Sequence, residues 1–289
     1  MDIQSVIVSF QELENTKNSI ASAITEKGIT SEGKFSKFSD EIKRINSGTN
    51  EQNLIQSILY KTKQINWEDT TTTLPEGFGQ GITFNNVSLP NIVSIPSRNV
   101  FQLSTINNFS APNLVSCVDI LSGATVKSLN LPKLKSCGNL VFNGSVETIY
   151  LPELTDANSQ IGGGTTQTIV LPKIVNLYDF ALQAVQASTR IYLGKDLKKF
   201  PVLPSSFSSN APELVVVLDT PQVIPISQFT SAAIDNYVSR KGKLIISVLD
   251  SAYDSFKNSQ DWNRYSQYIK KRSETPDDKL EFLKSYGLR

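Results

Sequence analysis

Five proline-centred phrases share one register: Leu89-Pro90-Asn91-Ile92, Ala111-Pro112-Asn113-Leu114, Leu131-Pro132-Lys133-Leu134, Leu151-Pro152-Glu153-Leu154 and Leu171-Pro172-Lys173-Ile174. The prolines stand at 90, 112, 132, 152 and 172, so the steps are 22, 20, 20 and 20 residues. A constant step of this size is the signature of stacked repeats, in which one unit cannot bury its apolar face alone and neighbours build a continuous core. Around the proline the apolar columns repeat too: Val126, Leu129, Leu131, Leu134, Cys137 and Leu140 on one rung, Val146, Ile149, Leu151, Leu154 and Ala157 on the next. The part before the proline has period two, which predicts a short strand with two side chains pointing inward. The apolar residues after it, spaced by three, predict a tight helical or 3₁₀ return. The proline cannot donate to a strand ladder and is expected to end the strand.

These Leu-x-Leu-Pro-x-Leu rungs resemble the leucine-rich repeats of bacterial surface antigens, a type also common in phage tail and fibre proteins. The resemblance directly covers about a third of the chain. Two further stretches resemble the same group. Thr16-Lys17-Asn18-Ser19-Ile20-Ala21-Ser22-Ala23-Ile24, with Lys27-Gly28, Phe35 and Ile42-Lys43-Arg44-Ile45, is similar to the N-terminal module of many phage tail proteins. Val248-Leu249-Asp250-Ser251, followed by Tyr253, Phe256, Lys257 and Trp262, is similar to the phrase that closes such repeats, with Leu249 where a proline is usual. The implied protein is α+β: a leucine-rich-repeat-like solenoid with short parallel strands, a small helical N-terminal module and a helical C-terminal cap. The expected divisions are 1–48 for a virion-attachment or oligomerisation module, 49–81 for a linker and capping segment, 82–248 for the solenoid and 249–289 for the cap and tail.

Within those divisions the residues predict particular elements. A helix is expected from Gln11 to Lys27, with Leu13, Ile20, Ala23 and Ile24 on one side, and a second from about Ser36 to Ile45, with Phe38, Ile42 and Ile45 at helical spacing. Ile20, Ile24, Phe38 and Ile42 are the residues expected to attach the chain to a virion. A further helix is expected over Glu51–Lys63. Gly77-Phe78-Gly79-Gln80-Gly81 has the look of a nucleotide fingerprint but lacks the following helix, lysine and acidic partner, and reads as a turn. Val215–Leu218 and Leu244–Val248 read as strands, with a helix within Ser227–Arg240. Asp250 is expected to N-cap a short helix, and Thr275-Pro276-Asp277-Asp278 to start a last one that runs to about Tyr286 and stops at Gly287. Leu280, Leu283 and Phe282 make its apolar side.

Composition narrows the function. Lys+Arg number 28 and Asp+Glu 27, so the charge supplies no drive toward nucleic acid or an anionic membrane. No apolar run reaches membrane-span length, and Met1-Asp2-Ile3-Gln4 does not read as a secretory signal. Histidine is absent, which removes imidazole bases, histidine triads and most zinc sites. No cofactor and no metal site are expected. The two cysteines, Cys117 and Cys137, occupy one column of adjacent rungs; they read either as a disulfide or as two small buried side chains, the second being favoured for a cytoplasmically made protein.

The residue between the two inward strand positions points outward on every rung, giving the row Ser88, Ser110, Asn130, Tyr150, Val170 and Tyr192. Tyr150 and Tyr192 are the expected binding anchors, with Asn130 and Ser110 as polar neighbours. The resulting expectation is a non-enzymatic virion component of a tail fibre, baseplate or capsid-attached fibre, made in the host cytoplasm and assembled as a homo-oligomer with other virion proteins. It is expected to attach to a host-surface protein or glycan. The alternatives are an adaptor or decoration protein that joins virion parts and a glycan-cleaving fibre enzyme.

Overall fold

The computed structural model describes residues 3–26, 62–66, 74–164, 166–182, 189–203, 213–240 and 243–288, with the backbone alone for 3–13. Two parallel sheets dominate. The larger has ten strands in the spatial order β1 (Gln64–Asn66), β2 (Thr83–Ser88), β4 (Thr105–Ser110), β6 (Thr125–Asn130), β8 (Ser145–Tyr150), β10 (Thr168–Leu171), β12 (Thr189–Leu193), β13 (Glu213–Leu218), β14 (Lys243–Val248) and β15 (Ile269–Lys271). The smaller has five: β3 (Ser94–Ile95), β5 (Ser116–Asp119), β7 (Ser136–Asn139), β9 (Asp156–Ala157) and β11 (Asn176–Leu177). Strands alternate between the sheets along the chain from β2 to β12, so each rung lays down one strand in each. The protein is an α+β repeat solenoid of short parallel strands, compatible with a leucine-rich repeat.

The inward columns lie where the repeat places them. Leu129, Leu131, Leu134, Ile149, Leu151 and Leu154 are all at most 1% exposed. Val126 pairs with Val146 and Ser128 with Thr148, while Lys127 and Glu147 are left out of the ladder. That local break is why two exposed residues separate Val126 from Leu129 but only one separates Leu129 from Leu131.

The return leg differs from the expectation. It is neither helical nor 3₁₀ but a second strand, paired in register as Ser94–Ser116–Ser136–Asp156–Asn176. Apolar spacing of three, as in Leu114, Cys117 and Ile120, fits an extended segment flanked by turns as well as a helical one, and stacking settles it. Once the rungs are in register, a second ladder satisfies backbone groups that a 3₁₀ turn would leave to itself. The proline does more than stop the strand. Leu134 N donates to Leu131 O at 3.2 Å and Leu154 N to Leu151 O at 3.3 Å, so each proline holds the second position of a β-turn that swings the chain from one sheet to the other.

Both ends of the stack are plugged by aromatics. Phe101 meets Phe78, Phe84 and Phe109 edge to face at 5.6–5.8 Å near the first rungs. At the far side Trp262, fully buried, lies edge-on to Phe200 at 5.0 Å and to Phe256 at 5.5 Å, and its Nε1 donates to Ile224 O at 2.7 Å. The Gly77–Gly81 stretch is a run of turns, as read, with positive φ at all three glycines.

Other elements match or shift. A helix α1 spans Ile3–Thr25, beginning eight residues before Gln11. The helix Gln228–Ser239 is capped by Ser227, whose side chain accepts from Thr230 N. Asp250 does not N-cap; it lies inside a 3₁₀ turn, Asp250–Ala252, and its carboxylate accepts from Ser273 N at 3.0 Å. Thr275 does not cap either, for its hydroxyl bonds to Ser247 Oγ and Lys271 O, both at 2.9 Å. The last helix is Asp277–Leu280, continued by a 3₁₀ segment Glu281–Tyr286 that stops at Gly287 with φ +67°. The strand β1 occupies a place that the sequence leaves without an element. The second helix expected over 36–45, and all of the helix expected over 51–63 except Thr62 and Lys63, lie outside the described residues.

Candidate functional site: the outer face of the large sheet

The outward row forms a ladder in two runs, because the residues paired between β4 and β6 are Thr105–Thr125 and Ile106–Val126 and not Ser110 and Asn130. Ser88 pairs with Ser110, Asn130 with Tyr150, Tyr150 with Val170, Val170 with Tyr192, Tyr192 with Val217 and Val217 with Ser247. A second row lies beside it with the same break between β4 and β6: Asn86 pairs with Asn108, and above the break Ser128, Thr148, Thr168, Arg190, Val215 and Ile245 pair in turn. Both rows change character partway up. They carry hydroxyls and amides on the lower rungs and mostly apolar side chains on the upper ones.

The C-terminal segment explains the change, because it folds back across the upper half of this face. Leu280 and Leu283, 3% and 0% exposed, bury Val170, Tyr192, Val215 and Val217 in a second hydrophobic cluster, with Tyr150, Phe282, Tyr286 and Leu288 at its margin. Tyr286 stacks on Tyr150, ring centroids 4.7 Å apart and planes tilted by 41°. Lys279 of the segment reaches Glu213 at 3.0 Å, where Arg190 also binds at 2.7 Å, and Arg272 Nη2 donates to Leu218 O at 2.9 Å.

Tyr192 is therefore not an accessible anchor. It is 4% exposed, and burial, then the nearby Asp219, push its phenol above its ordinary pKa. Tyr150 is half-buried beneath Tyr286, whose own phenol is raised by burial and then by Tyr150. Asn130 and Ser110 remain exposed. The accessible polar surface thus lies toward the N-terminal rungs, the reverse of the expected concentration around the two tyrosines. The sequence contained a signal for this: an outward row that turns apolar while the inward columns stay apolar needs a second layer to cover it.

The open half is lined by amide and hydroxyl ladders. Asn108 Nδ2 donates to Asn86 Oδ1 at 2.9 Å, and Asn107 Nδ2 to Asn85 Oδ1 at 3.5 Å. Thr83, Thr105, Thr125 and Ser145 form a third column in register. Asn107, Asn108, Thr125, Lys127 and Glu147 surround a shallow open depression of about 700 Å³. Such a surface can offer hydrogen bonds at the regular strand spacing of roughly 4.8 Å and carries charge of both signs.

Of the residues expected to attach the chain to a virion, Ile24 is fully buried within the chain and Ile20 is partly buried on α1; Phe38 and Ile42 lie outside the described residues. Cys117 and Cys137 face each other in register as free thiols, both buried. Burial pushes the Cys137 thiol up to about 12; for Cys117, burial first and then Cys137 and Asp119 raise it well above the ordinary value. Among the described residues no group of three or more Cys, Asp or Glu side chains is placed to hold a metal ion, and no helix is long and apolar enough to cross a membrane. Fold and face together define a parallel repeat solenoid with a half-covered outer sheet. No protein-family model matches the chain, and no curated protein matches it.

Proposed function

We propose that the protein is a non-enzymatic bacteriophage virion component, part of a tail fibre, baseplate or capsid-attached fibre, that binds a host-surface protein or glycan through the open half of its outer sheet. The observation that carries this reading is the partition of one face. Its upper rungs are apolar and sealed by the chain's own C-terminal segment, while the lower rungs keep a flat, solvent-facing array of Asn, Thr, Ser, Lys and Glu. A face that served only as the outside of a scaffold has no need of amide ladders at one end and a dedicated cover at the other. The proline-marked rungs supply the leucine-rich-repeat resemblance, α1 belongs to the N-terminal attachment or self-association module, and the segment from Leu249 onward is the helical cap and tail. Other virion proteins are the partners of the N-terminal module, in a homo-oligomeric assembly.

Two measurements test this. Immunogold labelling of particles places the protein, and purified protein is assayed for binding to host cells. An external position with cell binding that falls at least tenfold in an Asn107→Ala/Asn108→Ala variant supports attachment. An internal position, or a contact with virion proteins along the whole open face, replaces attachment with the adaptor reading. Shortening of a host polysaccharide by the purified protein would refute a non-enzymatic role.

A further inference from the structure

We propose that the edge of the smaller sheet carries a second, separate site that takes a neutral hexopyranose unit of a glycan; this rests on reading the chain as a non-enzymatic binding scaffold. β11 is the terminal strand of that sheet. Directly after it Tyr178, 45% exposed, meets Phe180 at 5.7 Å, and Phe180 meets Phe229 at 5.8 Å. Phe229, 53% exposed, comes from the helix Gln228–Ser239, so the fold assembles these rings from segments about fifty residues apart. Aromatic side chains of this size are rarely left half in water together unless something covers them.

The neighbouring surface decides what covers them. Tyr178 also borders a depression of about 280 Å³ whose polar lining is Asn158, Asn176, Lys198 and Lys199. Its groups are only partly used. Asn176 Nδ2 donates to Asp156 at 2.6 Å, leaving its amide oxygen as an acceptor. The Asn158 side-chain amide makes no hydrogen bond among the described residues, while its backbone N donates to Cys137 O at 2.9 Å, and Lys198 has no carboxylate within ion-pair distance among them. Lys199 is paired with Asp179 at 2.8 Å. Asp156 is held ionised by the hydrogen bonds from Asn176 and Thr155 and by the field of Lys198. One ammonium group is thus paired with a carboxylate and the other is offset by Asp156 at longer range, so the balance favours neither an anionic nor a cationic ligand.

A neutral polyol satisfies every part of this surface. The C–H face of a pyranose packs on an aromatic ring, and its hydroxyls both donate and accept, matching an amide oxygen, an amide nitrogen and an ammonium at once. An apolar peptide segment would cover the rings but strip water from Asn158 and Lys198 without replacing their hydrogen bonds, which is costly. The depression is near the lower limit for small-molecule sites, the size of one sugar ring, and Phe180 and Phe229, inclined by 65° and 55° along the row of rings, add apolar surface beside Tyr178.

The test is NMR titration of the full-length protein with the methyl pyranosides of glucose, galactose, mannose and N-acetylglucosamine. At least one is expected to shift the Tyr178 and Phe229 ring resonances and the Asn158 side-chain amide, saturating with a dissociation constant on the order of 1 mM. Tyr178→Ala and Asn158→Ala, both at exposed positions, should each weaken that binding at least fivefold with an unchanged circular dichroism spectrum. Absence of saturable shifts at these residues with all four sugars overturns the proposal, as does unchanged affinity in folded Tyr178→Ala. Sugar-induced shifts confined to Asn107 and Asn108 also overturn it while leaving the proposed function standing; loss of host-cell binding in the Asn107→Ala/Asn108→Ala variant tests that function independently.

Discussion

Truncating Leu283 to alanine isolates the energetics of the C-terminal cover. Leu283 is fully buried among Val170, Tyr192, Val215, Val217 and Leu280, a cluster separate from the main core between the sheets. Removal of a buried leucine side chain costs about 2–5 kcal/mol where the surroundings stay in place. Here the surroundings need not stay. The cover is one short helix and a 3₁₀ segment, tied to the sheet by Lys279–Glu213 and the Tyr150–Tyr286 stack. The penalty is therefore expected to appear as local opening of residues 277–288, while the rung core keeps its own burial. Hydrogen exchange reads this directly. Amides of Leu283, Gly287 and Leu288 should lose about 2 kcal/mol or more of protection, while those of β6 and β8 change little. The Tyr192 phenol, held up by burial, should titrate closer to the ordinary tyrosine value once the cover opens. Equal loss of protection in the cover and in β6 would refute the reasoning, because it would make the cover and the solenoid one cooperative unit.

Gly194 stands where the earlier rungs carry proline, and a Cβ there would lie 1.8 Å from Pro172 O, a backbone atom; Gly194→Ala should lower the denaturant midpoint by the equivalent of about 1–3 kcal/mol. Leu103 is 62% exposed at φ +56°, in the turn column where the next rungs carry Gly123 and Asn143; Leu103→Asn should raise the midpoint by up to about 1 kcal/mol as left-handed strain falls. The Asp156 carboxyl sits below its ordinary pKa through hydrogen bonds from Asn176 and Thr155. A depressed folded pKa adds stability above the unfolded pKa of about 3.9, and that stability is lost as pH falls through the folded value. Asp156→Asn should thus cost at most about 1 kcal/mol at pH 7, the group being largely solvent-facing, and the gap from wild type should close on acidification below pH ~4 in urea titrations.

The amino-acid sequence by itself determined the rung. Its period, the inward columns through Leu129, Leu131 and Leu134, the in-register cysteines and the outward row all follow from local alternation and a constant step, since a side chain's face depends only on its place within its own strand. The helix at 228–239 and the strands at 213–218 and 243–248 were legible for the same reason. Tertiary structure alone decided three things. The return leg became a strand because its neighbours above and below offered a second ladder, and spacing by three cannot announce a partner twenty residues away. Strand β1 formed because the edge of β2 was there to receive Gln64–Asn66, a run too short and too polar to signal itself. The fate of Tyr192 was settled by Leu280 and Leu283, about ninety residues further along: whether an outward side chain meets water depends on what docks over it, and docking is a property of two complementary surfaces that no single stretch of chain contains.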